Sequence, residues 1–308
     1  AVWGEEGFQE INVFYTDPLF CNPGNGQFTL YDNSPALGTG ENGSDIGAFG
    51  LGCYSGGYVT DKTMLIGLSN SNQFLINAFD YNADNWLSLD DDEINLYSEF
   101  TCAYDSESNR VIIVGRDNWG NRKAFAYDIS SQLSEELSTE NYTIDQRTTA
   151  SYDAESDRVV VFGLDPGGQK LIQSYDYNSD TWITHNIDGM IVNDQLTSTY
   201  DKNSDNIILV GRSPSNQAYA FAVDINNNQI EELSNAFSPR SRMSLAYDYQ
   251  TDLTYLVGVG NSSNRLASVF NYNTNEWSEI STEGLNINDE FSLTYDIESE
   301  KLILFGRG

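Results

Sequence analysis

The chain has 308 residues, of which 46 are acidic and 15 are basic, so its formal net charge is −31 at pH 7. So large a negative charge repels nucleic acids and anionic membrane surfaces, and we expect neither as a partner. The hydrophobic fraction of 39% allows a packed core, and the sequence has no apolar run of the roughly 18 residues needed to span a membrane. An acidic surface is typical of a protein that stays soluble in a saline, marine environment. Binding of divalent cations is the alternative use of the carboxylates.

The first 52 residues are rich in glycine, proline and asparagine and have the character of loops. They contain four short motifs in succession: Asp17–Phe20 (DPLF), Asn25–Leu30 (NGQFTL), Asn33–Gly38 (NSPALG) and Asp45–Gly50 (DIGAFG). This series resembles the closing coil of secreted bacterial right-handed parallel β-helix proteins. The resemblance implies that a β-helix precedes this segment in a longer protein, of which Ala1 would be an internal or processed start. It carries over no active site.

Three cysteines leave one unpaired in any disulfide scheme. Cys21 and Cys53 flank a glycine-rich loop region, and we expect these two to form a disulfide. Cys102 lies in a strand pattern and is expected to be buried as a small hydrophobic residue. A Cys21–Cys53 disulfide would indicate an oxidising compartment, so we expect the protein to be extracellular or attached to the cell surface.

From residue 53 onward a hairpin of about a dozen residues recurs, and it is seen most clearly between Tyr104 and Gly115. It opens with Tyr-Asp, passes through a polar turn into a strand of β-branched residues, and closes with glycine. The closing glycines fall at positions 67, 115, 163, 211, 258 and 306, so the period is 47 or 48 residues. This period in a strand-rich chain predicts four-stranded units that close into a β-propeller. Helical periodicity is lacking, so the chain is predicted to be all-β.

The second half of each unit carries a third strand that ends in an aromatic residue followed by Asp or Asn. A fourth strand follows, and in alternate units it opens with Trp86, Trp182 or Trp277. These units resemble kelch repeats over residues 53–308, except that the kelch Gly-Gly doublet is a single glycine here. The sequence therefore predicts a six-bladed kelch-like β-propeller over 53–308, preceded by the loop-rich segment 1–52.

The sixth unit stops at Gly308, directly after its second strand. Propellers commonly close by borrowing strands from the opposite end of the chain, and Ile11–Tyr15 and Gln27–Tyr31 alternate well enough to serve. We expect the N-terminal segment to complete the last blade. The alternative is an open edge that pairs with a strand of another chain.

Arginine occupies one equivalent position, directly after the closing glycine, in alternate units: Arg116, Arg212 and Arg307. In a ring these three side chains would share one face, where guanidinium groups capture carboxylate or sulfate. The alternative is a local ion pair that joins neighbouring blades. Trp119 and Tyr219, in or near the adjoining loops, are candidates for stacking on sugar rings, with packing as their alternative role.

Two acidic turns place oxygen ligands at alternate positions and are candidate calcium sites. They are Asp80, Asn82 and Asp84 in the first unit, and Asp176, Asn178 and Asp180 in the third. Hairpin turns also favour Asp and Asn for conformational reasons, which is the competing explanation. Calcium is the one cofactor that the sequence suggests. The sequence has a single histidine, His185, and a multi-histidine metal site needs at least two.

No motif identifies a reaction, so we expect a non-catalytic binding or adhesion module. Its expected ligand is an acidic or sulfated polysaccharide, captured by the arginine set. A second hypothesis is a structural subunit of an extracellular filament or layer, assembled from copies of itself by strand exchange. A third is a polysaccharide-degrading enzyme such as a lyase, which would need tyrosine, arginine and histidine or acids in one pocket.

Overall fold

The computed structural model describes residues 20–22, 27–31, 34, 36, 51–53, 62–89, 93–186, 188–260, 264–286, 289–297 and 299–307. The chain divides into two compact units, Ala1–Thr60 and Asp61–Gly308. The boundary expected after residue 52 therefore falls inside the first unit. No helix in the described ranges is long and apolar enough to cross a membrane.

The N-terminal unit contains a three-stranded sheet of β1 (Phe20–Asn22), β2 (Gln27–Tyr31) and β3 (Leu51–Cys53). Strand β2 lies in the middle, antiparallel to β1 and parallel to β3. It has a neighbour on each edge inside its own unit, and the completion of the last blade by the N-terminal segment stays a prediction. Residues 11–15, the other candidate for that role, lie outside the described residues.

The sheet order also bears on the predicted disulfide. Cys21 lies on β1 and Cys53 on β3, with β2 between them. Two strand spacings amount to about 10 Å, which exceeds the usual Cα separation of a disulfide. The side chains of these strands are not among those described, so the pair stays a prediction that this sheet order disfavours.

Among the described residues, the C-terminal unit contains the remaining 21 strands, arranged in six antiparallel sheets. The first four-stranded sheet is preceded by β4 (Thr63–Leu68), β5 (Phe74–Asp80) and β6 (Asn85–Leu89). Four complete sheets of four strands follow. The first two are β7 (Ser98–Asp105), β8 (Arg110–Arg116), β9 (Arg122–Asp128) and β10 (Leu133–Glu136), and then β11 (Gln146–Asp153), β12 (Arg158–Leu164), β13 (Lys170–Asp176) and β14 (Thr181–His185). The next two are β15 (Asp194–Asp201), β16 (Asn206–Arg212), β17 (Ala218–Asp224) and β18 (Gln229–Glu232), and then β19 (Ser241–Asp248), β20 (Leu253–Val259), β21 (Arg265–Asn271) and β22 (Glu276–Ile280). The last sheet is β23 (Asp289–Asp296) and β24 (Lys301–Arg307).

The β-propeller prediction is confirmed, but the blade count is not. Sheets of three or four strands number five among the described residues, and the sixth repeat supplies only the pair β23 and β24. The prediction of six blades is therefore wrong by one. The prediction counts the sixth unit as a blade because strands from the N-terminal segment are expected to complete it, but its sheet has only β23 and β24 among the described residues.

The first strands of successive sheets, β7, β11, β15, β19 and β23, lie side by side and form the inner wall of the propeller. The two-stranded sheet packs against the first, three-stranded one. Phe305 on β24 has its ring centroid 4.9 Å from that of Trp86 and 5.9 Å from that of Phe79. At the same junction the Thr63 hydroxyl donates a hydrogen bond to Asp296 at 3.3 Å. Side chains thus join the last sheet to the first.

Apolar layers between the sheets make the core. The second strands are the most deeply buried, because both of their faces are covered: Ile113, Val160 and Leu209 have no exposed surface. Two of the predicted tryptophans also join neighbouring sheets through a hydrogen bond. The indole N–H groups of Trp182 and Trp277 donate to the carbonyl oxygens of Ser138 and Ser234, at 2.9 and 2.8 Å.

The Tyr-Asp pair of each repeat builds the turn that follows it. The Tyr152 hydroxyl donates to Asp157 at 2.7 Å, and Asp153 accepts a bond from the Glu155 backbone N–H at 3.1 Å. Asp157 has a φ of 54°, a left-handed conformation that Asp and Asn tolerate better than most residues. The same tyrosine bond recurs in the pairs Tyr104–Asn109, Tyr200–Asp205 and Tyr247–Asp252.

Candidate functional site

The propeller has two faces with different chemistry. We call the upper face the one where the first strands begin and the second strands end, since Ser98 pairs with Arg116 there. The lower face carries the Tyr-Asp hairpins. The residues that follow the closing glycines therefore lie on the upper face, as the repeat pattern predicts.

A β-bulge interrupts each described first strand close to the upper face. Pairing shifts between Ser98 and Thr101, and the same shift recurs in every inner strand from β7 to β23. One residue of each bulge has a φ between 48° and 55°: Glu99, Arg147, Gln195, Arg242 and Glu290. None of these is glycine or asparagine, so each position is strained, and such strain is often found at binding and catalytic sites. We call these five positions the bulge ring.

A cavity of about 430 Å³ opens at the bulge ring. Its walls come from four consecutive inner strands, β11, β15, β19 and β23. The lining residues are Arg147, Thr148, Asp194, Gln195, Leu196, Arg242, Met243, Glu290 and Phe291. We call it the mouth cavity, and it combines two guanidinium groups, two carboxylates and a small apolar floor.

Hydrogen bonds link neighbouring members of the bulge ring. The Glu99 carboxylate accepts a bond from the Arg147 backbone N–H at 2.7 Å, and the Gln195 side chain accepts one from Arg242 at 2.5 Å. The Arg147 guanidinium donates to the Asn193 carbonyl at 2.9 Å. The ring is thus ordered by contacts between blades, while the Arg147 and Arg242 side chains remain exposed.

Arginine is concentrated on the upper face. Eight of the ten arginines lie at upper strand ends or in the connections between them: Arg116, Arg122, Arg147, Arg212, Arg240, Arg242, Arg265 and Arg307. The other two, Arg110 and Arg158, begin second strands at the lower face and form ion pairs with Asp128 and Asp176. A chain with a net charge of −31 therefore presents most of its guanidinium groups in one direction.

The predicted set Arg116, Arg212 and Arg307 has three different environments. Arg116 forms an ion pair with Asp145 of the next blade, with 3.3 Å between Nη1 and Oδ2. Arg307 lies 3.8 Å from Glu290 and is largely exposed. Arg212 has no side-chain hydrogen bond or ion pair within the described residues, and its Nε atom is buried without an acceptor. For Arg116, the interpretation as an ion pair between blades is therefore the one the structure supports.

The two aromatic candidates, Trp119 and Tyr219, differ in how far their rings are exposed. Trp119 sits at the tip of the turn after β8 and is 77% exposed, so it is available to stack on a ligand. Tyr219 lies on β17 and packs against the core beside Phe221, with 6.4 Å between ring centroids. Only Trp119 is placed for contact with a sugar ring.

The calcium candidates lie in lower-face turns between third and fourth strands. Asp80 forms an ion pair with Lys62 at 3.3 Å, and Asp176 forms one with Arg158 at 3.2 Å. Asp180 accepts bonds from the Tyr175 hydroxyl and the Ser138 N–H, at 2.7 and 2.9 Å. These oxygens therefore already have protein donors.

The remaining calcium candidates have turn roles. Asn178 donates to Asp157 at 2.8 Å, Asp84 has a φ of 49°, and Asn82 has a protein partner. No group of three or more potential metal ligands occurs in the described part of the chain, and calcium binding stays a prediction.

Two further titratable side chains have perturbed pKa values. Burial lowers the pKa of His185, whose Nε2 lies 2.8 Å from the Ser174 hydroxyl beside a second cavity of about 350 Å³. Ser174 has no exposed surface, so it is not accessible as a nucleophile. Burial also raises the pKa of the Cys102 thiol to about 11, although the residue as a whole is partly buried and not fully buried as predicted.

The bulge ring was missed by sequence reasoning. Its five members recur with the same period as the glycines, but they share no side-chain chemistry. The signal that could have found it is conformational: each position lies close to the start of a first strand and is occupied by a long polar residue.

Comparisons with known proteins agree on the fold alone. No protein-family model matches the chain, and no curated protein is similar to it in sequence. The crystal structure of TolB from Acinetobacter baumannii is similar, with a TM-score of 0.55 and 16% sequence identity, over 72% of this chain and 52% of that chain. The chain thus spans about half the length of this structural relative, and the match supports a β-propeller.

Proposed function

We propose that this protein is a non-catalytic binding module whose upper face captures an acidic or sulfated polysaccharide outside the cell. The observation that carries the proposal is the presence of eight of ten arginines on that face of a chain with a net charge of −31. Guanidinium groups bind carboxylate and sulfate through two parallel hydrogen bonds. The kelch-like character of the repeats and the β-helix-like segment are further parts of this proposal.

The mouth cavity is the proposed centre of binding. Arg147 and Arg242 line it and are exposed, and Leu196, Met243 and Phe291 supply apolar surface for the carbon face of a sugar. Trp119 offers a stacking surface elsewhere on the same face. An extended polysaccharide that crosses the upper face would meet both kinds of contact.

The test is binding of alginate, an unsulfated polyuronate, and of carrageenan, a sulfated galactan, to immobilised protein at two salt concentrations. We expect the double variant Arg147→Ala plus Arg242→Ala to weaken binding about tenfold or more, because charge-assisted hydrogen bonds are lost. The matched control is Lys202→Ala plus Lys301→Ala, which removes two exposed cations from the lower face. Equal loss in both double variants, or no binding by the parent protein, would refute the proposal.

Self-assembly is the second candidate, and one observation favours it. Within the described strands β24 has a neighbour on one edge only, β23. A free strand edge is a template for another chain. Light scattering across protein concentration separates the two candidates: a monomer of 34.4 kDa that binds polysaccharide supports the first, and concentration-dependent growth supports the second.

A further inference from the structure

The junction between the first and second four-stranded sheets shows how this fold holds an anion on its upper face. The carboxylate of Asp145 lies between two guanidinium groups: Arg116 is 3.3 Å from Oδ2, and Arg122 is 3.2 Å from Oδ1. Arg116 also donates from Nε to the Gly120 carbonyl at 3.2 Å. Asp145 is thus a built-in carboxylate ligand.

The equivalent junction two repeats later has the same backbone. Asp145 N–H bonds to the Leu164 carbonyl at 2.8 Å, and Arg240 N–H bonds to the Val259 carbonyl at 2.9 Å. The turn after Arg116 is closed by bonds between Asp117 and Asn121, and the turn after Arg212 by the equivalent bond between Ser213 and Gln217. Arg240 therefore occupies the position of Asp145, and Arg212 that of Arg116.

The charges at the two junctions are opposite in sense. Where the first has a carboxylate between two arginines, the second has Arg240 in place of the carboxylate and Ala218 in place of Arg122. Asp194, which pairs with Arg212 across the strands, lies 3.7 Å from Arg147 instead. Neither Arg212 nor Arg240 has a side-chain hydrogen bond or ion pair to any residue that the structure describes.

Burial adds the second observation. Both arginines are partly buried, and the Arg212 Nε atom is fully covered yet lacks an acceptor. A buried donor without an acceptor costs free energy, and so does a partly buried cation without a counter-ion. A bound anion would remove both costs at once.

We propose that Arg212 and Arg240 form a binding site for one oxyanion group, a sulfate ester or a carboxylate, which would balance their charge as the Asp145 carboxylate balances that of Arg116 and Arg122 in the equivalent junction. This inference deepens the proposed function, because it names a specific anion contact on the binding face. It predicts an acidic or sulfated ligand that reaches from the mouth cavity to this junction.

The test is titration of the purified protein with sodium sulfate against sodium chloride at matched ionic strength, followed by thermal unfolding. Sulfate stabilises proteins generally through exclusion from the surface, so the measured quantity is the saturable increase in Tm. We expect saturation with the parent protein, a midpoint about tenfold higher for Arg212→Gln, and no saturable increase for Arg240→Asp. Lys170→Gln, which removes an exposed cation of the same face, should keep the parent midpoint.

The Arg240→Asp variant also tests the proposed site in the absence of a bound anion. It recreates the Arg116–Asp145 pairing, so its Tm in chloride should rise above that of the parent. An unchanged or lower Tm together with an unchanged sulfate midpoint would overturn the site. A parallel titration with acetate separates the two ligand classes, since a lower midpoint for acetate indicates a carboxylate ligand and a lower midpoint for sulfate indicates a sulfate ester. Absence of a saturable sulfate response in the parent protein, with polysaccharide binding retained, would overturn this site alone and leave the proposed function standing.

Discussion

The three equivalent tryptophans provide a matched test of what holds the blades together. Trp182 is 5% exposed, donates to the Ser138 carbonyl at 2.9 Å and packs on the rings of Tyr142 and Tyr175. Trp277 has the same arrangement with Ser234. Trp86 opens the equivalent strand but is 47% exposed.

Replacement of each tryptophan by phenylalanine removes the indole N–H and part of the ring. For Trp182 the lost hydrogen bond costs about 1 kcal/mol. The lost apolar atoms cost roughly another 1 to 1.5 kcal/mol, on the scale of 0.8 kcal/mol for each buried CH₂. We expect Trp182→Phe and Trp277→Phe to lower the free energy of unfolding by about 2 kcal/mol each, and Trp86→Phe by less than about 1 kcal/mol.

Urea unfolding followed by far-ultraviolet circular dichroism measures all three variants, because this signal does not depend on tryptophan emission. The comparison between variants matters more than any single value, since the three positions share one place in the repeat. Equal losses at all three positions, or the largest loss at Trp86, would refute the assignment of stability to the buried indole bond.

Four further results are expected. Asp145→Asn should lower the free energy of unfolding by about 1 to 2 kcal/mol, and a double-mutant cycle with Arg116→Gln should show coupling, because the two side chains form one ion pair. Thiol titration of the denatured protein should give one thiol if Cys21 and Cys53 are linked and three if they are not. Native Cys102 should react far more slowly than a free thiol. The folded pKa of Cys102, about 11, exceeds the ordinary value of 9.0, so the thiol ionises in the unfolded chain at a lower pH than in the folded one. The contribution of Cys102 to the free energy of unfolding should therefore fall as the pH rises from about 9 to 11. Comparison of the parent protein with Cys102→Ala across this pH range measures that fall.

The sequence predicts the scaffold well because turn chemistry and period are local properties. The Tyr-Asp pair, its polar turn and the closing glycine each follow from a backbone requirement that one residue type meets. Gly115 is an example: a Cβ atom there would lie 2.6 Å from the Cβ of Phe100, so the position excludes larger residues. Such requirements repeat with the fold and can be read from one chain.

The binding face is harder to predict because its partners come from neighbouring repeats. Arg116 and Arg212 look identical in the sequence, yet one faces Asp145 and the other the position of Arg240. The difference between them appears only when the residues that face them from the next repeat, Asp145 and Arg240, are aligned with each other. The bulge ring is harder still to predict, because its five positions share a backbone conformation but not a residue type.

The way in which the last sheet meets the first has a mechanical consequence. The described contacts at that junction are made by side chains, chiefly Phe305 against Phe79 and Trp86, with one hydrogen bond between Thr63 and Asp296. Every other pair of neighbouring sheets in the propeller is joined by the chain itself as well, and each four-stranded sheet is a continuous ladder of backbone bonds. A pulling force applied across the propeller would therefore part this seam before it sheared any of the complete sheets. The opened molecule would be an arc of intact sheets, ready to close again when the load is removed.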